Sequence, residues 1–423
     1  MVTRLVGLAV FFGIAYLFVR HLERQEIYLR LRSEPRGRTT LSISSEGRAT
    51  DGRGGLVVYV TSHGFGHLNR SVAVINRLAP EVPVTIRSHP DLFDYWRERL
   101  RRPASLGAYV SDVGALSPPG ESQETDMAAT LVLAARVHAE AMERVDPEAQ
   151  ALRDEGAAAV LCDAPAVPLV AARRAGVPGF LLANFTWADI YSPHARRLGV
   201  GATRLVAELR AAYRQATLIF RAEPALRMAG SAPVTDVGMV VTPGHNRGPQ
   251  LRRELGLAAG TKLVYCYFGR YGQANLGYDR LERMGTRGVH FVGFHPAPTG
   301  PLANLHVVAA SDWTGADLAA SCDAMVVKAG YGTACEAMTA GTPMIYPPRT
   351  GFAEHRALDR ALRDWGGGIP ASARAFEELR IDKLLDHAFA LKPGPAPFHA
   401  DGASRVAERL ALTCGAMSKR SAD

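Results

Sequence analysis

Short apolar runs, each too brief to alternate between a wet and a dry face, recur along this chain with helical stretches between them. That pattern predicts strands buried on both sides, and therefore a parallel sheet with helices on each face. The first series of strands is Leu56–Thr61, Val82–Ser88, Ala159–Cys162 and Gly179–Ala183, with helices predicted over Leu68–Leu78, Ala128–Arg153 and Val167–Ala175. A second series runs Lys262–Phe268, Val289–Phe294, Leu305–Val308, Ala324–Val327 and Met344–Tyr346. Between them, Pro243, Gly244, Asn246, Gly248 and Pro249 cluster in one loop, a composition that breaks regular structure. A chain of 423 residues exceeds one ordinary core. The expected fold class is therefore α/β, with two doubly wound, Rossmann-like domains over 55–242 and 250–392 facing a central cleft. Residues 1–54 form a leader and 393–423 a C-terminal tail or helix. In such sheets ligands sit beyond the carboxyl ends of the strands, so the loops after Thr61 and after Val327 are expected to line one cleft.

The leader differs from the rest. Leu5–Val19 is uncharged and bracketed by Arg4 and Arg20; about 15 helical residues reach only ~22 Å, a marginal N-terminal hydrophobic helix for a membrane. Arg20, Arg24, Arg30, Arg32, Arg36 and Arg38 follow it, which predicts domains in the cytoplasm, tethered to the cytoplasmic face of the inner membrane. The alternative is a mis-assigned start. Ser33–Gly55 reads as a flexible linker. A net charge of +8 favours an anionic partner, but the arginines are dispersed without aromatic interleaving, so nucleic acid is not expected. The five cysteines are scattered and mostly sit in apolar runs, as free thiols do. Neither Cys-x-x-Cys nor His-Glu-x-x-His occurs, so no metal and no cofactor are expected.

Two glycine loops carry the candidate chemistry. In the stretch Lys328–Glu336, Gly330 and Gly332 allow a sharp turn into a helix whose first N–H groups are free, and such a helix start attracts a diphosphate. Glu336 falls about one turn into that helix, where a carboxylate accepts both hydroxyls of a ribose. A plain α/β crossover explains the strand, glycines and helix as well. The loop Ser62-His63-Gly64-Phe65-Gly66-His67 lacks the third glycine of a dinucleotide fingerprint. It offers histidines instead, and a histidine above a sheet suits proton abstraction from a hydroxyl. His67 is the first candidate for that base and His63 the second; the competing role is satisfaction of the loop's backbone. Gly269 and Arg270 follow the first strand of the second series and are candidates for a phosphate contact. Glu354 opens a further helix, where it suits sugar hydroxyls or simply the helix start. On the acceptor side stand Gly66, Asn184, Trp187 and Asp189, with a core role the competing reading for Trp187.

Four motifs in order, Ser62–His67, Leu161-Cys-Asp-Ala-Pro165, Ala183–Tyr191 and Ala320–Glu336, resemble the glycosyltransferase-like N-terminal region of plant L-arabinokinases. More distantly the chain is similar to GT-B nucleotide-sugar transferases such as lipid II synthase. The resemblance implies a GT-B fold and a metal-independent glycosyltransferase (hexosyl- or pentosyltransferase) that uses a nucleotide-diphosphate sugar, UDP-sugar first, as co-substrate and an unidentified hydroxyl acceptor, with a lipid-linked one suiting an anchored protein. It assigns the acceptor proton to His67, the diphosphate turn to Gly330, Gly332 and Thr333, the ribose to Glu336, and the donor sugar to Glu354. Lys328 or Arg270 would stabilise the leaving charge. The chain lacks the extra first-loop glycines of lipid II synthases and the tryptophan-rich donor signature of many plant transferases. No phosphate loop of the sugar-kinase class appears, so sugar phosphorylation is not expected. A nucleotide-sugar 2-epimerase and a non-catalytic sugar-nucleotide sensor are the alternatives.

Overall fold

The computed structural model describes residues 55–116, 125–228, 230, 232–267, 279–295 and 302–420, all within one compact unit, Ser42–Asp423. The apolar segment 5–19 and the pair Gly269 and Arg270 lie outside the described residues.

Two parallel sheets are built from the strands. The first joins β1 (Leu56–Val60), β2 (Val84–Ser88), β3 (Ser105–Ala108), β4 (Ala159–Asp163), β5 (Gly179–Ala183), β6 (Leu218–Ala222) and β7 (Val234–Gly238) in the order β3-β2-β1-β4-β5-β6-β7. The second joins β8 (Lys262–Tyr267), β9 (Val289–Gly293), β10 (Leu305–Val307), β11 (Ala324–Val327), β12 (Met344–Tyr346) and β13 (Gly368–Pro370) in the order β10-β9-β8-β11-β12-β13. Both orders reverse direction beside their first strand, between β1 and β4 and between β8 and β11. At such a reversal the flanking connections leave on opposite faces, which opens a crevice at the carboxyl edge of the sheet. Strands β1, β4, β5 and β11 are buried at every position, as their unbroken apolar runs require.

Several predicted boundaries move for identifiable reasons. The first helix spans Phe65–Ile75, three residues earlier than its apolar periodicity suggests, because the His67 N–H already bonds the Gly64 carbonyl at 3.2 Å. His67 thus lies in the first turn. The long helix predicted over Ala128–Arg153 is two, Met127–Glu143 and Val145–Asp154. Pro147 causes the break: its ring clashes with the carbonyl four residues back, at Glu143, where the first helix stops. Edge strands β3 and β13 carry too few apolar residues to have been anticipated, and β6, β7 and the helices Trp187–Leu198 and Val200–Tyr213 were also not predicted.

The last helix, Gly402–Arg420, returns to the first sheet, where Ala403, Val406, Ala407, Leu410 and Cys414 join the same apolar cluster as Leu56, Val58 and Val237. That cluster continues through Leu263, Met325 and Met344 of the second sheet, so the two halves share one core. The return path is pinned by the Met239 N–H on the His399 carbonyl at 2.7 Å and the Gly402 N–H on the Met239 carbonyl at 3.1 Å. It passes so close to β7 that a Cβ on Gly238 would stand 2.5 Å from the His399 oxygen, and Gly238 also has φ +79°. Gly238→Ala is therefore expected to lower unfolding stability by about 2 kcal/mol or more, read from the urea midpoint at unchanged m-value. No described helix is long and apolar enough to cross a membrane.

Candidate functional site

The two reversal crevices face each other through glycines. Cβ atoms built on Gly66 and Gly332 would lie 3.8 Å from Gly332 N and Gly66 Cα respectively, so the backbones of the histidine loop and the Gly330–Gly332 turn approach with no side chains between them.

On the first-sheet side, Asp163 closes β4 and is wholly buried. One of its oxygens lies 2.8 Å from His67 Nδ1 and 2.5 Å from an Arg70 nitrogen; the other accepts from Arg70 Nε at 3.1 Å and from the Ser71 hydroxyl at 2.9 Å. His67, Arg70 and Ser71 all come from one face of the helix Phe65–Ile75, since residues three and four apart share a face. Burial pushes the Asp163 carboxyl up, but the Arg70 guanidinium beside it and the His67 hydrogen bond outweigh that and hold it at about 2. An Arg70 nitrogen also lies 3.0 Å from His67 Nδ1, but it is closer to the Asp163 oxygen, at 2.5 Å; with its hydrogen bond given to the carboxylate, Nδ1 can donate to Asp163 and leave Nε2 to accept a proton. Because Arg70 already neutralises much of the carboxylate's charge, orientation is the larger part of its effect on His67.

His63 is held differently. Its Nδ1 accepts the Ala115 N–H at 3.2 Å, and its ring meets Trp187 edge-on and stacks on Phe352. Burial first, then Arg349, His67 and Lys328, keep its pKa well below the usual range. Gly114 permits this seat, because a Cβ there would overlap the ring at 2.3 Å. Asp112 bridges the Thr61 hydroxyl at 2.8 Å and the Trp187 indole at 2.7 Å. Trp187 is thereby packed in the core at 1% exposure, and Asp189 closes a capping box with Thr186 at the start of its helix.

Asn184, just past β5, connects the two halves. Its side-chain oxygen accepts from Arg70 at 2.8 Å and its amide donates to Glu354 Oε1 at 2.6 Å. Arg70 also lies over the Tyr331 ring, 5.0 Å from its centre, while the Tyr331 hydroxyl accepts the Val240 N–H at 2.9 Å. Glu354 opens the helix Glu354–Trp365 and has Arg349 3.8 Å from its other oxygen.

On the second-sheet side, the helix Tyr331–Ala340 starts from Gly330. The Thr333 hydroxyl bonds the Gly330 N–H at 3.2 Å and the Lys328 carbonyl at 2.9 Å, so it shapes the turn from within. Lys328 has no ion pair among the described residues. Burial, reinforced by Arg349 and opposed by Glu354, brings its pKa down to about 7. The Glu336 carboxyl has no hydrogen-bond partner among the described residues, and burial, then Asp317, push it up to about 7. Gly315 leaves its face open: a Cβ there would stand 3.3 Å from Glu336 Oε2. Among the described residues no group of three or more His, Cys, Asp or Glu could hold a metal ion.

The structure thus gathers His67, Gly66, Asn184, Glu354, Lys328, Gly330, Gly332 and Thr333 around one junction, with Glu336 a turn deeper. It seats His63 and Trp187 in packing roles and Asp189 in a cap. Asp163, Arg70, Asp112 and Arg349 were not singled out from sequence. Asp163 alone had a visible signal, a carboxylate ending an otherwise apolar strand.

Two facing sheets of this order, joined by a C-terminal helix that returns to the first, are the GT-B fold. No family model matches the chain. It is 28% identical to an L-arabinokinase of Arabidopsis thaliana over 341 residues, 79% of this chain but only 32% of that protein, so it spans about a third of the relative it matches. Among solved structures, UGT2 of Phytolacca americana, complexed with UDP-2-fluoroglucose and pterostilbene, aligns at a TM-score of 0.55 with 16% identity, covering 86% of this chain and 94% of that one. The calicheamicin glycosyltransferase CalG4 aligns at 0.54 and 16% identity, over 88% and 97%. The spinosyn rhamnosyltransferase SpnG, complexed with thymidine diphosphate, aligns at 0.53 and 16%, over 86% and 96%.

Proposed function

We propose that the protein is a metal-independent glycosyltransferase that moves a sugar from a nucleoside-diphosphate sugar to a hydroxyl acceptor. The observation that carries this reading is the Asp163-held His67 in a loop whose Gly66 touches Gly332 of the phosphate turn. A proton acceptor beside the turn proposed to hold the leaving diphosphate supports this reading, because a displacement at the sugar's anomeric carbon needs both. His67 Nε2 takes the acceptor hydroxyl's proton as the oxygen attacks. The bond from the anomeric carbon to the diphosphate breaks, and the leaving charge falls on the N–H groups of the helix Tyr331–Ala340 and on Lys328. Glu336 receives the ribose hydroxyls. The first donor to try is a UDP or TDP sugar, since those nucleotides accompany UGT2 and SpnG.

Glu336 and Lys328 both titrate near pH 7, in opposite senses. The ribose needs Glu336 as a carboxylate, so affinity falls as pH drops below about 7; the diphosphate needs Lys328 protonated, so affinity falls as pH rises above it. Binding of the sugar nucleotide, whose diphosphate diester does not titrate in this range, is expected to be bell-shaped with a maximum near neutrality. Calorimetric titration between pH 5.5 and 9 checks this. Glu336→Gln should flatten the acid limb and Lys328→Met the alkaline one; a wild-type affinity constant across the range would contradict both assignments.

A further inference from the structure

We propose that the transferred sugar carries a carboxylate and that Arg349 is the residue that receives it; this rests on the donor-site reading above. Arg349 follows β12, the strand beside the one that ends in the phosphate turn. The ribose would lie at Glu336, one helical turn in, and the diphosphate at the helix start. The sugar must then extend the opposite way, toward Asn184 and the histidine loop. Arg349 stands on that side: its guanidinium lies 3.6 Å over the centre of the Phe352 ring, and Phe352 packs against both His63 and Phe185.

Arg349 is 8% exposed and its Nε has no partner. A buried, unpaired donor of this kind is costly unless a ligand satisfies it. Glu354 does not fill the role, since it is 3.8 Å away, beyond a hydrogen bond, and its other oxygen is taken by Asn184 at 2.6 Å. The diphosphate already has the helix N–H groups and Lys328. What remains is a guanidinium whose buried Nε has no partner and whose outer nitrogen reaches Glu354 only at 3.8 Å, and the group that matches such a fork is a carboxylate bound through both oxygens. A neutral hexose offers single hydroxyls there.

The test uses the full chain and calorimetric titration. UDP, TDP and GDP are compared first to find the base, and the nucleotide that binds is then supplied as its neutral hexose and its hexuronate. The expected result is hexuronate binding at least about tenfold tighter than the neutral sugar, as for a charge-assisted pair. In Arg349→Met that ratio should fall to about one while affinity for the free nucleotide changes little; Arg349→Lys should restore only part of it. Equal binding of the two sugars by the wild type overturns the inference without any variant. So does an Arg349→Met protein that loses the free nucleotide as much as the hexuronate, because Arg349 would then serve the diphosphate. Nucleotide binding without acid preference leaves the donor site standing, whereas no binding by any nucleotide removes both.

Discussion

Replacing His67 with alanine is expected to lower sugar transfer by about 10²- to 10⁴-fold, the range for loss of a positioned general base, with donor affinity nearly unchanged. The separation follows from where the side chains lie. Glu336, Lys328 and the helix start proposed to hold the donor belong to the second sheet, and His67 to the first. Loss of the imidazole still leaves Asp163 with three hydrogen bonds, two from Arg70 and one from Ser71, so the fold should survive. Transfer rate, donor affinity and melting temperature measured on one preparation distinguish the roles. A variant that keeps its melting temperature and its activity would remove His67 from catalysis, and the dyad with it.

Replacing Arg70 with methionine is expected to cost about 3–5 kcal/mol of stability, the usual result of stripping one partner from a buried ion pair. Arg70 is 2% exposed and Asp163 wholly buried, so the carboxylate could not recover its hydration. Asn184 would lose a donor and Tyr331 its cation at the same time. The sign of the pH dependence is fixed by the depressed pKa. Asp163 has about 2 in the folded protein against roughly 3.9 in an unfolded chain. Its contribution is therefore complete above pH ~4 and is lost as pH falls toward 2. Urea denaturation at pH 7 and pH 3 should show a smaller gap between wild type and Arg70→Met at the lower pH; an equal gap would mean that the pair's charge is not what stabilises the site.

Local chemistry was the legible part of this chain. Lys328–Glu336 runs strand, turn and helix in one continuous stretch, and the structure places β11 and its helix there with β11 at its predicted ends. The alternation of buried runs was enough for two doubly wound halves. Pairings across long sequence separations were not legible. His67 and Asp163 are 96 residues apart, and Asn184 and Glu354 170; each of these residues has an ordinary local use that hides its partner. The reverse holds for Trp187 and Asp189, conspicuous as an aromatic and an acid in one loop, yet occupied by the Asp112 contact and the Thr186 capping box. Nothing in the sequence around Arg349 marks it out among the arginines of a basic chain, and only its burial sets it apart.

The contact between Gly66 and Gly332 bears on the timing of ligand entry. If the turn holds the diphosphate as proposed, donor entry is expected to require the halves to part, which would break the Asn184–Glu354 hydrogen bond and lift Tyr331 from Arg70. The apparent donor affinity is then the intrinsic one reduced by the fraction of molecules standing open. Association should accordingly be slower than diffusional encounter, and a substitution such as Asn184→Ala, which loosens the junction without touching the phosphate turn, should speed donor arrival even as it impairs transfer.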